Sequence, residues 1–112
     1  MTARESDVID RAEPHDPLFP ILDDDDILRR GDQWVALSPI EARLARAFLE
    51  HPGHLLARTT LGRAGWPDGV PNDRSVDSRI KTLRRRIHAL GLRIYTIRGR
   101  GYLADLDRTT NP

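Results

Sequence analysis

The apolar positions follow different spacings along the chain, and each spacing predicts a different element. Between residues 18 and 37 they come in short pieces, at 18–22, 27–28 and 34–37, with Arg30-Gly31-Asp32 as a tight turn between the last two. This predicts three short strands in an antiparallel meander. From Ile40 the spacing changes. Ile40, Leu44, Ala47 and Phe48 recur at i, i+4, i+7 and i+8, one face of a helix. Its start is marked by Ser38-Pro39-Ile40-Glu41. Ser38 can accept from the amide three residues on, Glu41 can reach back to the Ser38 amide, and Pro39 sits where a missing N–H costs nothing. His51-Pro52-Gly53 stops that helix. A second, shorter helix is expected over residues 58–64, burying Leu61 and ending at Gly65-Trp66-Pro67, followed by a loop from Pro67 to Asn72.

The third helix has the clearest pattern. Val76, Ile80, Leu83, Ile87 and Leu90 recur at spacings of 4, 3, 4 and 3, which at about 100° per residue gives one narrow apolar stripe. Asn72 or Asp73 can cap its start, and Gly91 suits the left-handed residue that ends it. On the opposite side fall Arg74, Ser78, Thr82 and Arg85, with Ser75 and Lys81 beside them. Asp77 stands four residues before Lys81, the spacing of a helical ion pair. Beyond it, residues 93–97 and 102–104 read as two strands joined by Arg98-Gly99-Arg100-Gly101, a hairpin tip.

Composition narrows the function. The chain has 112 residues, a single-domain length, and no cysteine for a disulfide, a thiolate nucleophile or a thiolate zinc site. It has no apolar run long enough to span a membrane and no apolar signal segment at its start, so a cytoplasmic location is expected. The net charge of +1 hides an asymmetry. Residues 1–26 sum to −7 and residues 74–100 to +8, a local positive field suited to a polyanion. Four histidines (His15, His51, His54 and His88) have no spacing that gathers metal ligands, and the run Asp23-Asp24-Asp25-Asp26 lacks the alternation of a calcium loop. No nucleophile–base order or paired carboxylates suggests catalysis, so neither an enzyme, a metal site nor a cofactor is expected.

A helix anchored by one apolar stripe, with Arg, Lys, Ser and Thr opposite, is built like an element that enters a DNA major groove. The bases hold phosphates while Ser78 and Thr82 let base edges come close. Arginines between glycines at a hairpin tip suit a narrow minor groove, where the negative potential attracts them.

Four segments together carry a family resemblance: residues 37–41 (LSPIE); Pro52-Gly53 with Leu61 and Trp66; residues 74–86 (RSVDSRIKTLRRR); and residues 94–102 (IYTIRGRGY). In this order and spacing they resemble the winged-helix DNA-binding domain of OmpR/PhoB-type response regulators, over roughly residues 20 to 104. The resemblance implies an α+β winged helix-turn-helix with an N-terminal antiparallel sheet of four strands, three helices and a C-terminal β-hairpin wing. Residues 1–17, which lack hydrophobic periodicity and hold Pro14 and Pro17, read as an acidic, disordered tail, followed by the domain over 18–105 and a short tail over 106–112. The resemblance also implies a double-stranded DNA-binding transcriptional regulator, with a recognition helix (about 73–90) in the major groove and a wing (94–104) in the minor groove, residing in the cytoplasm with the nucleoid.

The same resemblance assigns roles. Arg74, Lys81 and Arg84 match phosphate-contacting bases of the recognition helix, and Ser75, Ser78, Arg79 and Thr82 match its groove-facing positions. Thr96 matches a wing phosphate contact and Arg98 the arginine that enters the minor groove. Arg85 and Arg100 join them by their place on the helix face and hairpin tip. Trp66 and Tyr102 have two readings, a contact to the DNA backbone or a place in the core. The loop from Pro67 to Asn72 corresponds to a segment that can contact RNA polymerase. Three departures stand out. Thr82 occupies a position where many members carry a base-reading arginine. Ala57 stands where a Ser or Thr cap is usual, weakening that helix start by about 1 kcal/mol. The chain also holds no receiver domain, which leaves a free-standing regulator or a fragment of a larger one, and the initiating Met favours the first as an expectation. A monomer in solution is expected, occupying DNA in two or more copies. The rival reading is a winged-helix adaptor for RNA polymerase or another regulator, binding DNA weakly or without specificity.

Overall fold

A computed structural model of the chain describes residues 19–69 and 71–106. The tail expected over residues 1–17 lies outside them, as do residues 107–112. Three strands, β1 (Ile21–Leu22), β2 (Ile27–Arg30) and β3 (Gln33–Ala36), pair antiparallel in that order. Among the described residues the N-terminal sheet thus has three strands, where the resemblance implied four. β1 is short because Pro20 before it has no N–H for a ladder, and because Asp23 turns the chain after it. The Asp23 carboxylate accepts from the backbone N–H of Asp25 at 2.8 Å and of Ile27 at 3.1 Å. The acidic run is therefore a side-chain-capped turn. At the same end of the meander, Leu37 follows β3: its N–H donates to the Asp26 carbonyl at 2.9 Å and its side chain is buried.

Helix α1 (Pro39–Glu50) opens on both bonds of the capping box. The Ser38 hydroxyl accepts from the Glu41 N–H at 3.2 Å, and the Glu41 carboxylate accepts from the Ser38 N–H at 2.9 Å. Leu44 and Phe48 are buried as the periodicity required, while Ile40 and Ala47 are half-buried. The buried face is wider than the stripe because Glu41, Ala42 and Ala45 are covered too. Helix α2 (Arg58–Gly65) starts at Ala57 with no side-chain cap and buries Leu61 completely. Its last carbonyl, Gly65, accepts from Arg43 Nε of α1 at 2.9 Å. Helix α3 (Asp73–Ile87) runs into a 3-10 turn (His88–Leu90), and β4 (Leu92–Ile97) and β5 (Gly101–Leu106) form the terminal hairpin. Leu28, Leu44, Leu61, Ile80 and Leu83 have no exposed surface and mark the common core of the first sheet and the three helices. The result is the expected α+β winged-helix arrangement.

Candidate nucleic-acid interface

The interface candidate starts with the way α3 is held. Asn72, not Asp73, is the cap: its side-chain oxygen accepts from the Ser75 N–H at 2.8 Å, leaving Asp73 in the first turn, where a negative charge suits the helix dipole. Val76, Ile80, Leu83, Ile87 and Leu90 are all buried, to 4% exposure or less. At about 1.5–3 kcal/mol for each buried side chain, this stripe fixes which face of α3 can turn outward. Gly91 ends the run at φ +76, and Arg30 Nη1 of β2 donates to the Leu90 carbonyl at 2.7 Å.

What remains outside is the face picked from the sequence. Arg74, Ser75, Ser78, Lys81 and Arg85 are exposed; Arg79, Thr82 and Arg84 are half-buried. Arg74, Ser75, Ser78, Lys81, Thr82 and Arg85 fall within about 120° of helix surface opposite the stripe, and Arg79 and Arg84 flank that surface on either side. The hairpin tip adds Arg98 and Arg100, both exposed, with Gly99 between them at φ +73.

The two flanks of α3 are tied down by side chains. On one flank Arg84 donates through Nε to the Ile94 carbonyl and through Nη2 to the Thr96 hydroxyl, both at 2.9 Å. Arg84 and Thr96, assigned separately to phosphate contact, are thus joined into one unit linking helix and wing. Two of the five guanidinium N–H groups are engaged, and three remain for an anion. On the same flank Asp77 accepts from Arg58 Nε at 2.8 Å and from the Tyr102 hydroxyl at 2.6 Å. The ion pair expected between Asp77 and Lys81 is replaced by this one, because Arg58 of α2 reaches Asp77 with a direct 2.8 Å contact. On the other flank Arg86 Nε donates to Glu41 at 3.0 Å, and Glu41 is 1% exposed. Both carboxylate oxygens of this buried residue are used, one by the Ser38 N–H and one by Arg86. Arg86 therefore belongs to the scaffold, although it sits in the most basic run of the chain.

Tyr102 resolves toward its core reading. It is 5% exposed, its hydroxyl is committed to Asp77, and the Arg58 and Arg84 guanidiniums lie 5.7 and 6.0 Å from its ring centre. The direct backbone contact considered for it has no free hydroxyl to draw on. Trp66 is half-buried and packs against the core.

The electrostatics of the Arg58–Asp77–Tyr102 group follow from this geometry. Burial pushes the Asp77 carboxyl up, but the hydrogen bonds from Arg58 and Tyr102, with the Arg58 charge, outweigh it and hold the carboxyl below its ordinary 3.8. Burial, together with the Asp77 hydrogen bond and charge, pushes the Tyr102 phenol above its ordinary 10.0. The Asp77 hydrogen bond and charge likewise raise Arg58.

The wing is aligned by a backbone bridge. Leu56, just before α2, exchanges two hydrogen bonds with Tyr102 at 2.7 and 3.0 Å, so the segment leading into α2 pairs with β5. This close approach explains Gly101, which has φ +146 and where a Cβ would overlap the Leu56 carbonyl oxygen. Among the described residues no group of three His, Asp or Glu could hold a metal ion, and no helix is long and apolar enough to cross a membrane.

Comparison with known proteins gives concordant results. Residues 31–104 match the family described as "Transcriptional regulatory protein, C terminal". The transcriptional regulatory protein CseB of Streptomyces avermitilis is 42% identical over 76 residues, covering 67% of this chain and 32% of CseB. Protein PetR of Rhodobacter capsulatus is 36% identical over 85 residues, covering 68% of this chain and 36% of PetR. The chain thus spans about a third of the length of these curated relatives. Among solved structures, the Klebsiella pneumoniae RstA DNA-binding domain in complex with RstA box superposes with a TM-score of 0.64 at 27% identity, covering 78% of this chain and 91% of that one.

Proposed function

This chain belongs to the family of transcriptional regulatory protein C-terminal domains, the OmpR/PhoB-type DNA-binding domains, and on that premise we propose that it is a sequence-specific regulator of transcription that reads double-stranded DNA. In this reading α3 enters the major groove and the β4–β5 wing reaches the adjacent minor groove. The observation that carries it is the outward face of α3. Exposed Arg74, Lys81 and Arg85 border short hydroxyl side chains, with the buried stripe fixing the helix from behind. Arg74, Lys81, Arg85 and the joined Arg84–Thr96 unit hold phosphates, while Ser75, Ser78, Arg79 and Thr82 face base edges. Arg98, with Arg100 beside it, supplies the minor-groove contact, and Trp66 borders the same surface. Tyr102 acts through Asp77 and Arg58 as a positioning residue.

The loop after α2, with Pro67, Asp68, Gly69 and Asn72 exposed, is the surface offered to RNA polymerase. The protein acts in the cytoplasm at the nucleoid, as a monomer that fills repeated half-sites on DNA. Selection of bound duplexes from a randomised pool, followed by footprinting of the winner, tests the reading. A defined site with protection on both grooves is the expected result. Binding that ignores sequence would overturn it in favour of a protein-interaction adaptor.

A further inference from the structure

Within the face that α3 turns outward, Thr82 differs from its neighbours in how its polar atom is used. Its hydroxyl donates to the Ser78 carbonyl one turn earlier, at 3.3 Å. A threonine bonded back to its own helix has turned its one donor hydrogen away from any partner outside. What it keeps for an external group is the methyl carbon and an oxygen lone pair. Ser75 and Ser78, seven and four residues before Thr82 along the same side, are exposed and short. They form a low strip beside Thr82, so the helix backbone can approach a groove floor closely enough for a side chain as short as threonine to touch it. Longer bases on either side, Arg79 and Arg85, cannot be matched in reach by Thr82, and the bidentate hydrogen bonding by which an arginine selects guanine is closed to it.

In the major groove the base pairs differ in one apolar feature: thymine alone carries a 5-methyl group. A side chain with its donor engaged and a methyl group remaining suits that edge, and is poorly matched to the acceptor atoms of guanine. We propose that Thr82 is a specificity-determining residue that reads the 5-methyl group of a thymine. The inference rests on the reading of α3 as the major-groove helix and names the base chemistry of one position in it.

The experiment uses the full 112-residue chain and the best duplex from the randomised pool. Each thymine of the site is replaced in turn by deoxyuridine, which removes the methyl group and leaves the Watson–Crick edge unchanged. At one position affinity falls about fourfold, the loss expected for one buried methyl group. Thr82→Ser, which keeps the hydroxyl and drops the methyl, binds thymine and deoxyuridine equally at that position. Thr82→Val, which keeps a methyl and drops the hydroxyl, still prefers thymine. The proposal is overturned if specific binding persists with no methyl-dependent position that Thr82→Ser abolishes. It is equally overturned if Thr82→Val loses the preference while Thr82→Ser keeps it, which would make the hydroxyl the reader. Loss of sequence specificity in the wild-type chain itself would show in the selection as no enriched site, and would instead remove the premise that α3 reads bases.

Discussion

Replacing the Gly101 hydrogen by a methyl group would drive a carbon into the Leu56 carbonyl oxygen and to 3.0 Å from Ala57 Cα, at a φ of +146 that side chains rarely adopt. Gly101→Ala should therefore lower stability by about 1–3 kcal/mol, read as a shift in the urea midpoint. Gly99, at φ +73 with open space around it, should lose only about 1 kcal/mol on the same change, the cost of a left-handed residue alone. Equal losses at the two sites would mean that the Leu56 bridge is not what constrains Gly101. The Asp77 group predicts a pH signature. Its carboxyl is held below 3.8 in the fold, so the unfolded chain binds more protons in acid. The stability it supplies is complete above that value and is lost as pH falls through the lower folded one. Tyr102 behaves in the opposite sense: raised above 10.0, it contributes fully below pH 10 and is lost as pH rises beyond. Asp77→Asn should flatten both limbs of the stability curve relative to wild type; unchanged limbs would show that other groups produce them. Asp77 and Tyr102 each stood out in the sequence, but their grouping with Arg58 was not visible there. Helical arithmetic puts Asp77 near Lys81 as readily as it leaves it beside α2, and only the packing of α2 brings Arg58 within 2.8 Å.

Elements whose signals are local were legible from the chain. α1 announces itself by a capping box whose partners lie three residues apart, and α3 with the 3-10 turn after it by five apolar positions that are all buried. The strand pieces were legible as a meander, yet β1 shrinks to two residues because Pro20 and the Asp23 turn compete with the ladder for the backbone. The outward face of α3 was legible for the same reason as its stripe, since burying one side of a helix leaves the other. What holds that face at a given rotation was not. Glu41 shows in the sequence only as a capping residue, and its second oxygen meets Arg86 across 45 positions of chain. α2 offers a test of how far local signals matter. Ala57 already has the extended cap conformation, φ −72 and ψ 158, but no side-chain acceptor. Ala57→Ser should raise stability by about 1 kcal/mol in chemical denaturation without altering affinity for DNA. No gain would mean that the start of α2 is held by the Leu56–Tyr102 bridge alone.

For the whole molecule, charge decides how binding responds to its surroundings. The chain is nearly neutral, but +8 of charge is concentrated in residues 74–100, and the fold divides those bases into two sets. Arg86 is spent on a buried carboxylate, whereas Arg74, Lys81, Arg85, Arg98 and Arg100 are exposed and carry no ion pair among the described residues. Arg84 stands between the sets, with Thr96 at one nitrogen and three N–H groups to spare. Beside the four bases proposed to hold phosphates, Arg98 and Arg100 would neutralise phosphate charge from within the minor groove, so five or six phosphate charges are met. Each neutralised phosphate contributes about −0.9 to the slope of log K against log salt, so the slope should be about −5. The division also predicts how two arginines of the same charge differ. Arg98→Ala removes the groove contact proposed for it and should make the slope shallower by about 1. Arg86→Gln removes an equal charge from the sequence but no phosphate contact. It should weaken binding by letting α3 shift against Glu41, with the slope unchanged. Titrations of both variants from low to physiological salt measure this directly. A slope near zero in the wild type would rule out phosphate neutralisation as the basis of binding, and equal slope changes in the two variants would place Arg86 on the DNA.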